Sequence, residues 1–121
     1  MSSKSILVVD DTRSMRMMVA NVLAAAGYEV SEAGDGAQAL ALAQQRQFDL
    51  VVTDHNMPEM DGVTLVRALR QIPDYDGVAL LVLSTEADTA LKQRGREAGA
   101  TGWMVKPFDP QRMLDIVGKF I

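Results

Sequence analysis

Short apolar runs alternate with longer amphipathic stretches along most of the chain. The first run, at residues 6–9, contains only isoleucine, leucine and valine and stops at two aspartates. Such a run is typical of a strand that is buried on both faces, as in a parallel sheet. Similar runs at 49–54 and 78–83, together with the mixed segments at 28–33 and 101–105, bring the predicted strands to five.

Helical periodicity fills the segments between these strands. In the first segment Met15, Val19 and Val22 recur at helical spacing, and Gly27 follows as a stop signal. Gly95 costs about 1 kcal/mol relative to alanine inside the fourth helix and should loosen it. The same spacing predicts helices at about residues 14–26, 37–46, 63–69, 87–98 and 110–120. This alternation predicts an α/β domain with a doubly wound five-stranded parallel sheet, five helices and right-handed crossovers.

Length and composition predict one soluble domain over residues 1–121, with 48% hydrophobic and 23% charged residues. The net charge of -4 disfavours a nucleic-acid partner, because a phosphate backbone requires a basic surface. The chain has no cysteine, which excludes disulfides and thiolate metal sites. No apolar run approaches the roughly 20 residues of a membrane span, and the first residues are polar. We therefore expect a cytoplasmic, monomeric protein without membrane contact.

Polar residues follow four of the predicted strands. Asp10 and Asp11 follow the first strand, and Asp54 ends the third. Ser84 follows the fourth strand and Lys106 the fifth. Because ligands of open parallel sheets bind outside the carboxyl ends of the strands, we expect these side chains to converge.

The chemistry of this set favours a divalent cation and a phosphoryl group. Crowded carboxylates repel one another and would protonate unless a cation shares the site. Mg²⁺ prefers such oxygen ligands, whereas zinc is disfavoured without cysteine and with a single histidine. Beside Mg²⁺, Asp54 would attack a phosphoryl donor, and Ser84 and Lys106 would bind the transferred oxygens.

Each of these residues also has an ordinary interpretation when taken alone. An aspartate pair at a strand end is often a helix cap. Ser84 would then be a loop hydroxyl, and Lys106 a solvated charge. Their joint placement at four strand ends favours the functional interpretation.

Four segments make the chain resemble a known family. They are VVDD at 8–11, TDHNMPEMDG at 53–62, LST at 83–85 and VKPF at 105–108. With them, residues 5–120 resemble the receiver domain of bacterial response regulators, most closely the single-domain, CheY-like chemotaxis type. The resemblance implies a flavodoxin-like sheet in the order 2-1-3-4-5, for which CheY is itself a standard example.

The resemblance also implies the role of each site residue. Asp54 would accept a phosphoryl group from a chemotaxis-type histidine kinase, and Ser84 and Lys106 would bind it. The bond from Lys106 to Pro107 is expected to be cis and to direct the ammonium into the site. The implied magnesium ligands are Asp10, Asp11, Asp54 and the main-chain carbonyl of Asn56.

Further positions of the family tune hydrolysis and switching. Asn56 and Glu86 match residues that orient a water against the acyl phosphate. Three positions depart from the usual residues: Ser84 replaces threonine, Trp103 replaces the switch tyrosine, and His55 replaces tryptophan. We interpret His55 as a loop residue at the mouth of the site. We predict that Trp103 is partly exposed at rest and becomes more buried on phosphorylation; the alternative is an indole fixed in one rotamer.

These features predict a phosphoacceptor switch with only self-phosphorylation and autodephosphorylation chemistry, rather than an enzyme. A haloacid-dehalogenase-type phosphatase is disfavoured because its DxDxT pattern is absent after the first strand. A flavodoxin-like electron carrier is disfavoured because paired carboxylates would repel the flavin phosphate. The output remains open between binding of a flagellar switch protein or a phosphatase, a phosphate sink, and regulation of another partner.

Eight methionines are spread along the chain, three of them close together in the first predicted helix. Met15, Met17 and Met18 could form a promiscuous binding surface. We favour the other interpretation, in which they fill the core.

Overall fold

The computed structural model describes residues 3–86 and 88–121. Within them it has five strands: Ser5–Val9 (β1), Glu29–Ala33 (β2), Leu50–Asp54 (β3), Ala79–Ser84 (β4) and Gly102–Val105 (β5). The α-helices of this part of the chain are Arg13–Ala25 (α1), Gly36–Gln45 (α2), Gly62–Leu69 (α3), Thr89–Ala98 (α4) and Pro110–Phe120 (α5). The predicted alternation of strands and helices is confirmed.

The strands form one parallel sheet in the order β2-β1-β3-β4-β5, which confirms the order implied by the resemblance. Val9 of β1 pairs with Thr53 of β3, and Asp54 pairs with Leu83 of β4. Ser84 in turn pairs with Val105 of β5. This register brings the carboxyl ends of four strands to one edge of the sheet.

Successive residues of the central strands enter two different cores, because their side chains alternate between the faces of the sheet. Leu7, Val51 and Leu80 pack in the core on one face, with residues of α2, α3 and α4. The neighbouring Ile6 and Leu50 pack in the core on the other face, with residues of α1 and α5. The absence of polar alternation in these strands follows from burial on both faces.

The predicted element boundaries agree with the structure to within one or two residues. The start of α4 differs most: it begins at Thr89, where the Asp88 carboxylate accepts a hydrogen bond of 2.8 Å from the Leu91 amide. Ala87, which the sequence placed in this helix, lies outside the described residues. A 3-10 helix at Pro73–Tyr75 was not predicted.

The methionines of α1 do not all fill the core. Met15 packs against the core, but Met17 and Met18 are 43% and 53% exposed. A helix of 3.6 residues per turn aligns Met15 with the buried Val19 and Leu23 and turns Met17 and Met18 outward. The expectation of core filling was therefore wrong for Met17 and Met18.

At the amino ends of β4 and β5, the Arg70 guanidinium connects the two loops that precede these strands. It donates to the Gly99 carbonyl from two nitrogens, at 2.8 and 3.0 Å, and to the Val78 carbonyl at 2.9 Å. It also donates to the Tyr75 carbonyl and, at 3.3 Å, to the Thr101 hydroxyl. We call this arrangement the Arg70 clamp.

Gly99 at the end of α4 fits the clamp for two reasons. Its φ of 112° lies in the left-handed region, which favours glycine. A Cβ at this position would also lie 2.7 Å from Cγ of Arg70.

None of the helices in the described ranges has both the length and the apolar character needed to cross a membrane.

Candidate functional site

Three carboxylates from two strand ends meet at the carboxyl edge of the sheet. Asp10 and Asp11 follow β1, and Asp54 is the last residue of β3. One oxygen from each lies within 4.8 Å of the others. Asp10 and Asp54 are buried, whereas Asp11 is exposed. The group can therefore be reached from solvent on the Asp11 side.

Lys106 contributes the positive charge of this cluster. Its Nζ lies 2.6 Å from Oδ1 of Asp54 and 3.9 Å from Oδ2 of Asp10, and its side chain is only 13% exposed. The Lys106 amide donates to the Ser84 carbonyl at 2.8 Å, which ties the segment after β5 to β4. The peptide bond between Lys106 and Pro107 is cis, as the resemblance implied.

One carboxylate oxygen of the cluster lacks a hydrogen bond. Lys106 approaches Asp54 Oδ1 as a charge partner, but outside the directions of a hydrogen bond, and no other donor in the described part of the chain reaches this buried atom. A buried carboxylate oxygen is ordinarily hydrogen-bonded or bound to a cation. Asp54 Oδ1 is thus suited to an incoming ligand.

Burial and the local charge together disfavour ionisation of Asp10. Burial raises the pKa of its carboxyl group, and the Asp54 and Asp11 carboxylates raise it further. The Thr12 amide, which donates to Oδ1 at 2.9 Å, and the Lys106 ammonium lower it in part. A bound cation would favour the ionised form, and three carboxylate oxygens suit Mg²⁺.

Ser84 lies beside the cluster at the end of β4 and is fully buried. Its hydroxyl donates to Oδ1 of Asn56 at 3.3 Å and accepts from the Glu86 amide at 3.0 Å. Asn56 and Glu86 are both exposed. The hydroxyl therefore joins the loop after β3 to the loop after β4, and both residues expected to orient water lie beside it.

Trp103 on β5 is half-buried and is held from two sides. Its indole N–H donates to the Glu86 carbonyl at 3.0 Å, and its ring centroid lies 5.7 Å from that of His55. On α4, a Cβ added to Gly95 would lie 2.9 Å from Cζ3 of Trp103. Gly95 was expected to loosen α4; the structure shows that it makes room for the indole. Whether Trp103 moves on phosphorylation stays a prediction.

His55 lies in the loop after β3, as expected, but it is buried, with 8% of its surface exposed, so its expected position at the mouth of the site was wrong. Its amide donates to the Leu83 carbonyl at 2.8 Å. Its carbonyl accepts from Met57 and Gly62 at 2.9 and 3.1 Å, and its Nδ1 accepts from the Val63 amide at 3.4 Å. These bonds fix the residue that directly follows Asp54.

Two further residues of the site were not singled out from the sequence. At Gly62 a Cβ would lie 2.7 Å from the Asp54 carbonyl, so only glycine allows the loop to approach the strand end. A glycine following aspartate was a visible but unspecific signal for this turn. Arg16 donates from Nη1 to the Asp10 carbonyl at 2.8 Å. No local pattern marks such a contact.

Known proteins are similar to the chain in both sequence and fold. Residues 6–118 match the family model described as the response regulator receiver domain. The chemotaxis protein CheY of Bacillus subtilis is 40% identical over 116 residues, which are 94% of each chain. The structure of the chemotaxis protein CheY4 of Vibrio cholerae superposes with a TM-score of 0.96 and 43% identity, over 99% of this chain and all of that one.

A longer protein also contains a similar domain. The transcriptional regulatory protein PrrA of Mycobacterium leprae is 44% identical over 107 residues, which are 88% of this chain but only 45% of that protein. Similar domains therefore occur both alone and as part of longer regulators.

Proposed function

Because the chain belongs to the response regulator receiver domain family, and is thus a phosphorelay response regulator, we propose that Asp54 accepts a phosphoryl group from a chemotaxis-type histidine kinase with Mg²⁺ as cofactor. One observation carries the proposal: three carboxylate oxygens meet within 4.8 Å, with the Lys106 ammonium 2.6 Å from Asp54. This arrangement combines a nucleophile, ligands for a cation and a second positive charge.

The metal would be held by the residues that the sequence indicated. Asp10, Asp11 and Asp54 supply carboxylate oxygens, and the main-chain carbonyl of Asn56 is the proposed fourth ligand. The buried Asp54 Oδ1, which no donor other than the Lys106 ammonium reaches among residues 3–86 and 88–121, supports this assignment. When bound, Mg²⁺ would neutralise negative charge on the transferring phosphoryl oxygens.

In the proposed transfer, an Asp54 oxygen attacks the phosphorus of the kinase's phosphohistidine. A P–O bond forms as the P–N bond breaks, and the electron pair of the P–N bond stays on the imidazole. Lys106, already beside Asp54, would pair with the new phosphoryl oxygens. The Ser84 hydroxyl would exchange its bond to Asn56 for one to the phosphoryl group.

We further propose that the chain is a switch and not an enzyme with an external substrate. Asn56 and Glu86 are exposed at the edge of the site, where an amide and a carboxylate can orient water for hydrolysis of the acyl phosphate. The exchange at Ser84 would also disturb Glu86, whose carbonyl holds the Trp103 indole. Phosphorylation would thereby change the surface formed by α4, β5 and α5.

The proposed output is chemotaxis signalling through a flagellar switch protein, with a phosphatase as a further partner, in the cytoplasm. Support comes from full-length similarity to proteins named for chemotaxis. A phosphate sink and a regulator of a non-flagellar partner are the alternatives for the output. Binding of the host's flagellar switch protein, measured with and without phosphorylation, distinguishes them: no phosphorylation-dependent binding would contradict the flagellar output.

The acceptor assignment is tested by mass spectrometry after incubation with phosphoramidate and Mg²⁺. We expect one added phosphoryl group on the unmodified chain and none on Asp54→Asn. Asp61→Asn is the matched control, because Asp61 caps α3 in the same loop and asparagine preserves the cap. Full uptake by Asp54→Asn would contradict the assignment, and repeated turnover of p-nitrophenyl phosphate would favour a phosphatase.

A further inference from the structure

Arg16, in the first turns of α1, links the metal-binding end of β1 to the end of β2. Its Nη1 donates to the Asp10 main-chain carbonyl at 2.8 Å, and its Nε donates to the Glu32 carboxylate at 3.0 Å. Two nitrogens of one planar guanidinium thus bind acceptors that lie in different directions. A lysine ammonium carries its three N–H groups on one nitrogen, so it cannot place donors at the two separate positions of Nη1 and Nε.

The contact fixes the peptide that joins Asp10 to Asp11. The Asp10 amide donates to the Ala33 carbonyl of β2 at 3.1 Å, and the Asp10 carbonyl accepts from Arg16. Because the main-chain amide and the main-chain carbonyl of Asp10 are both hydrogen-bonded, the backbone that carries the two neighbouring carboxylates has a defined orientation. The Asp10 amide binds Ala33 directly, and Arg16 binds the adjacent Glu32, so both contacts connect Asp10 to the end of β2.

We infer that Arg16 is a positioning residue for the Mg²⁺ site. By holding the Asp10 carbonyl it orients the Asp10 and Asp11 carboxylates for simultaneous coordination, while Glu32 balances its charge. The inference rests on the proposed function, because it assumes that this cluster binds Mg²⁺. Hydrogen bonds to ligating side chains typically contribute a factor of about 10 to 100 in metal affinity, and because Arg16 binds the main chain of a ligand residue we expect the lower end of this range.

Electrostatics alone predicts the opposite effect of Arg16. A positive charge near the site repels a divalent cation, so its removal should strengthen Mg²⁺ binding. A positioning role requires that its removal weaken binding. The sign of the change therefore separates the two effects.

The test is a calorimetric Mg²⁺ titration of the full chain and of three variants. We expect Arg16→Gln and Arg16→Lys to weaken Mg²⁺ binding about ten-fold. Arg13→Gln is the matched control, because Arg13 is an exposed arginine in the same helix. Its removal should leave the affinity unchanged or slightly increase it.

Salt and unfolding measurements sharpen the result. Repulsion between charges is screened at high ionic strength, whereas a geometric effect persists, so the ten-fold loss should remain at about 1 M salt. Thermal unfolding without Mg²⁺ shows whether each variant is folded. If Arg16→Gln is not folded, the Mg²⁺ affinity of Arg16→Lys alone tests the inference.

Unchanged or tighter binding in Arg16→Gln would overturn the inference. So would full affinity in Arg16→Lys, because charge rather than the two-way contact would then suffice. If the unmodified chain binds Mg²⁺ and the Arg16 variants bind it equally well, the inference is wrong but the proposed function is not contradicted. A lack of Mg²⁺ binding by the unmodified chain would overturn both.

Discussion

The amino ends and the carboxyl ends of the strands each have a charged side chain that is partly or fully buried. The two charges differ in the partners that surround them. At the amino edge, the Arg70 guanidinium donates to the carbonyls of Tyr75, Val78 and Gly99. At the carboxyl ends, Asp54 Oδ1 has a charge partner in Lys106, and no other donor within the described ranges reaches it.

This difference separates stability from binding. A buried charge with its hydrogen bonds formed holds neighbouring segments together, and its removal leaves several acceptors without a partner. A buried charge among like charges disfavours the folded state until a ligand neutralises it. The Arg70 clamp is therefore expected to stabilise the fold, and the acidic cluster to bind the ligand. Each of the following measurements tests one side of that contrast.

The largest effect is expected at the Arg70 clamp. Arg70→Ala should lower the free energy of unfolding by about 3 kcal/mol, because three carbonyls in two loops lose a charged donor. Denaturant unfolding measures this change. Arg67→Ala, on the exposed side of the preceding helix α3, should stay within about 0.5 kcal/mol. Equal losses in the two variants would contradict a special role of the clamp.

The second effect is stabilisation by the metal. Mg²⁺ at 100 times its dissociation constant should raise the free energy of unfolding by about 2.7 kcal/mol, since only the folded chain brings the carboxylates together. Asp11→Ala should remove most of this gain, and Lys106→Ala should preserve or increase it. Thermal unfolding with and without Mg²⁺ provides the measurement. An unchanged gain in Asp11→Ala would place the metal elsewhere.

A third effect concerns packing beside the acidic cluster. Gly95→Ala should gain about 1 kcal/mol of helix propensity but lose about 1 to 3 kcal/mol through the clash with Trp103, for a net loss of up to about 2 kcal/mol. Acrylamide quenching of Trp103, the single tryptophan, should increase as the indole is displaced. Increased stability with unchanged quenching would show that the space between position 95 and the Trp103 ring can accommodate a methyl group.

Quenching of the unmodified chain tests the predicted switch. With beryllofluoride as a phosphoryl mimic, Trp103 should become less accessible to acrylamide. Equal quenching in chains shown to carry the mimic would instead support an indole fixed between His55 and Gly95.

The smallest effect is relief of repulsion at Asp10. Asp10→Asn should raise the stability of the metal-free chain by about 1 kcal/mol and abolish stabilisation by Mg²⁺, as is common when a functional charge is neutralised. Asparagine keeps an oxygen that can accept from Thr12. Reduced stability without metal would show that the ionised carboxylate is favourable in the fold.

The pH dependence has a defined sign. Burial and the neighbouring carboxylates raise the pKa of Asp10 above that of the unfolded chain, so the folded state binds the proton more readily. As pH falls through the raised pKa toward the usual value, this group should add stability to the metal-free chain and weaken Mg²⁺ binding. Stability curves of the unmodified chain and Asp10→Asn, compared over this window, measure the contribution. Parallel curves would contradict it.

The order of strands and helices along the chain, and the polar residues that meet at the carboxyl ends of the strands, were determined by the sequence alone. Strands buried on both faces require continuous apolar runs, and parallel strands place all their carboxyl ends at one edge. The polar residues that end the runs, such as Asp54 and Ser84, therefore had to meet. Lys106 followed from the same argument, because it comes directly after the last run.

Only the tertiary structure decided the partners of residues outside this pattern. The Arg70 clamp joins Arg70 to Gly99, 29 positions away, and Arg16 reaches Glu32 across the end of β2. The burial of His55 and the need for glycine at position 95 depend on where the Trp103 ring lies. Apolar periodicity reports which face of an element is buried. It carries no information on which side chains from distant segments meet there, because that depends on how the packed helices and loops fill the remaining space.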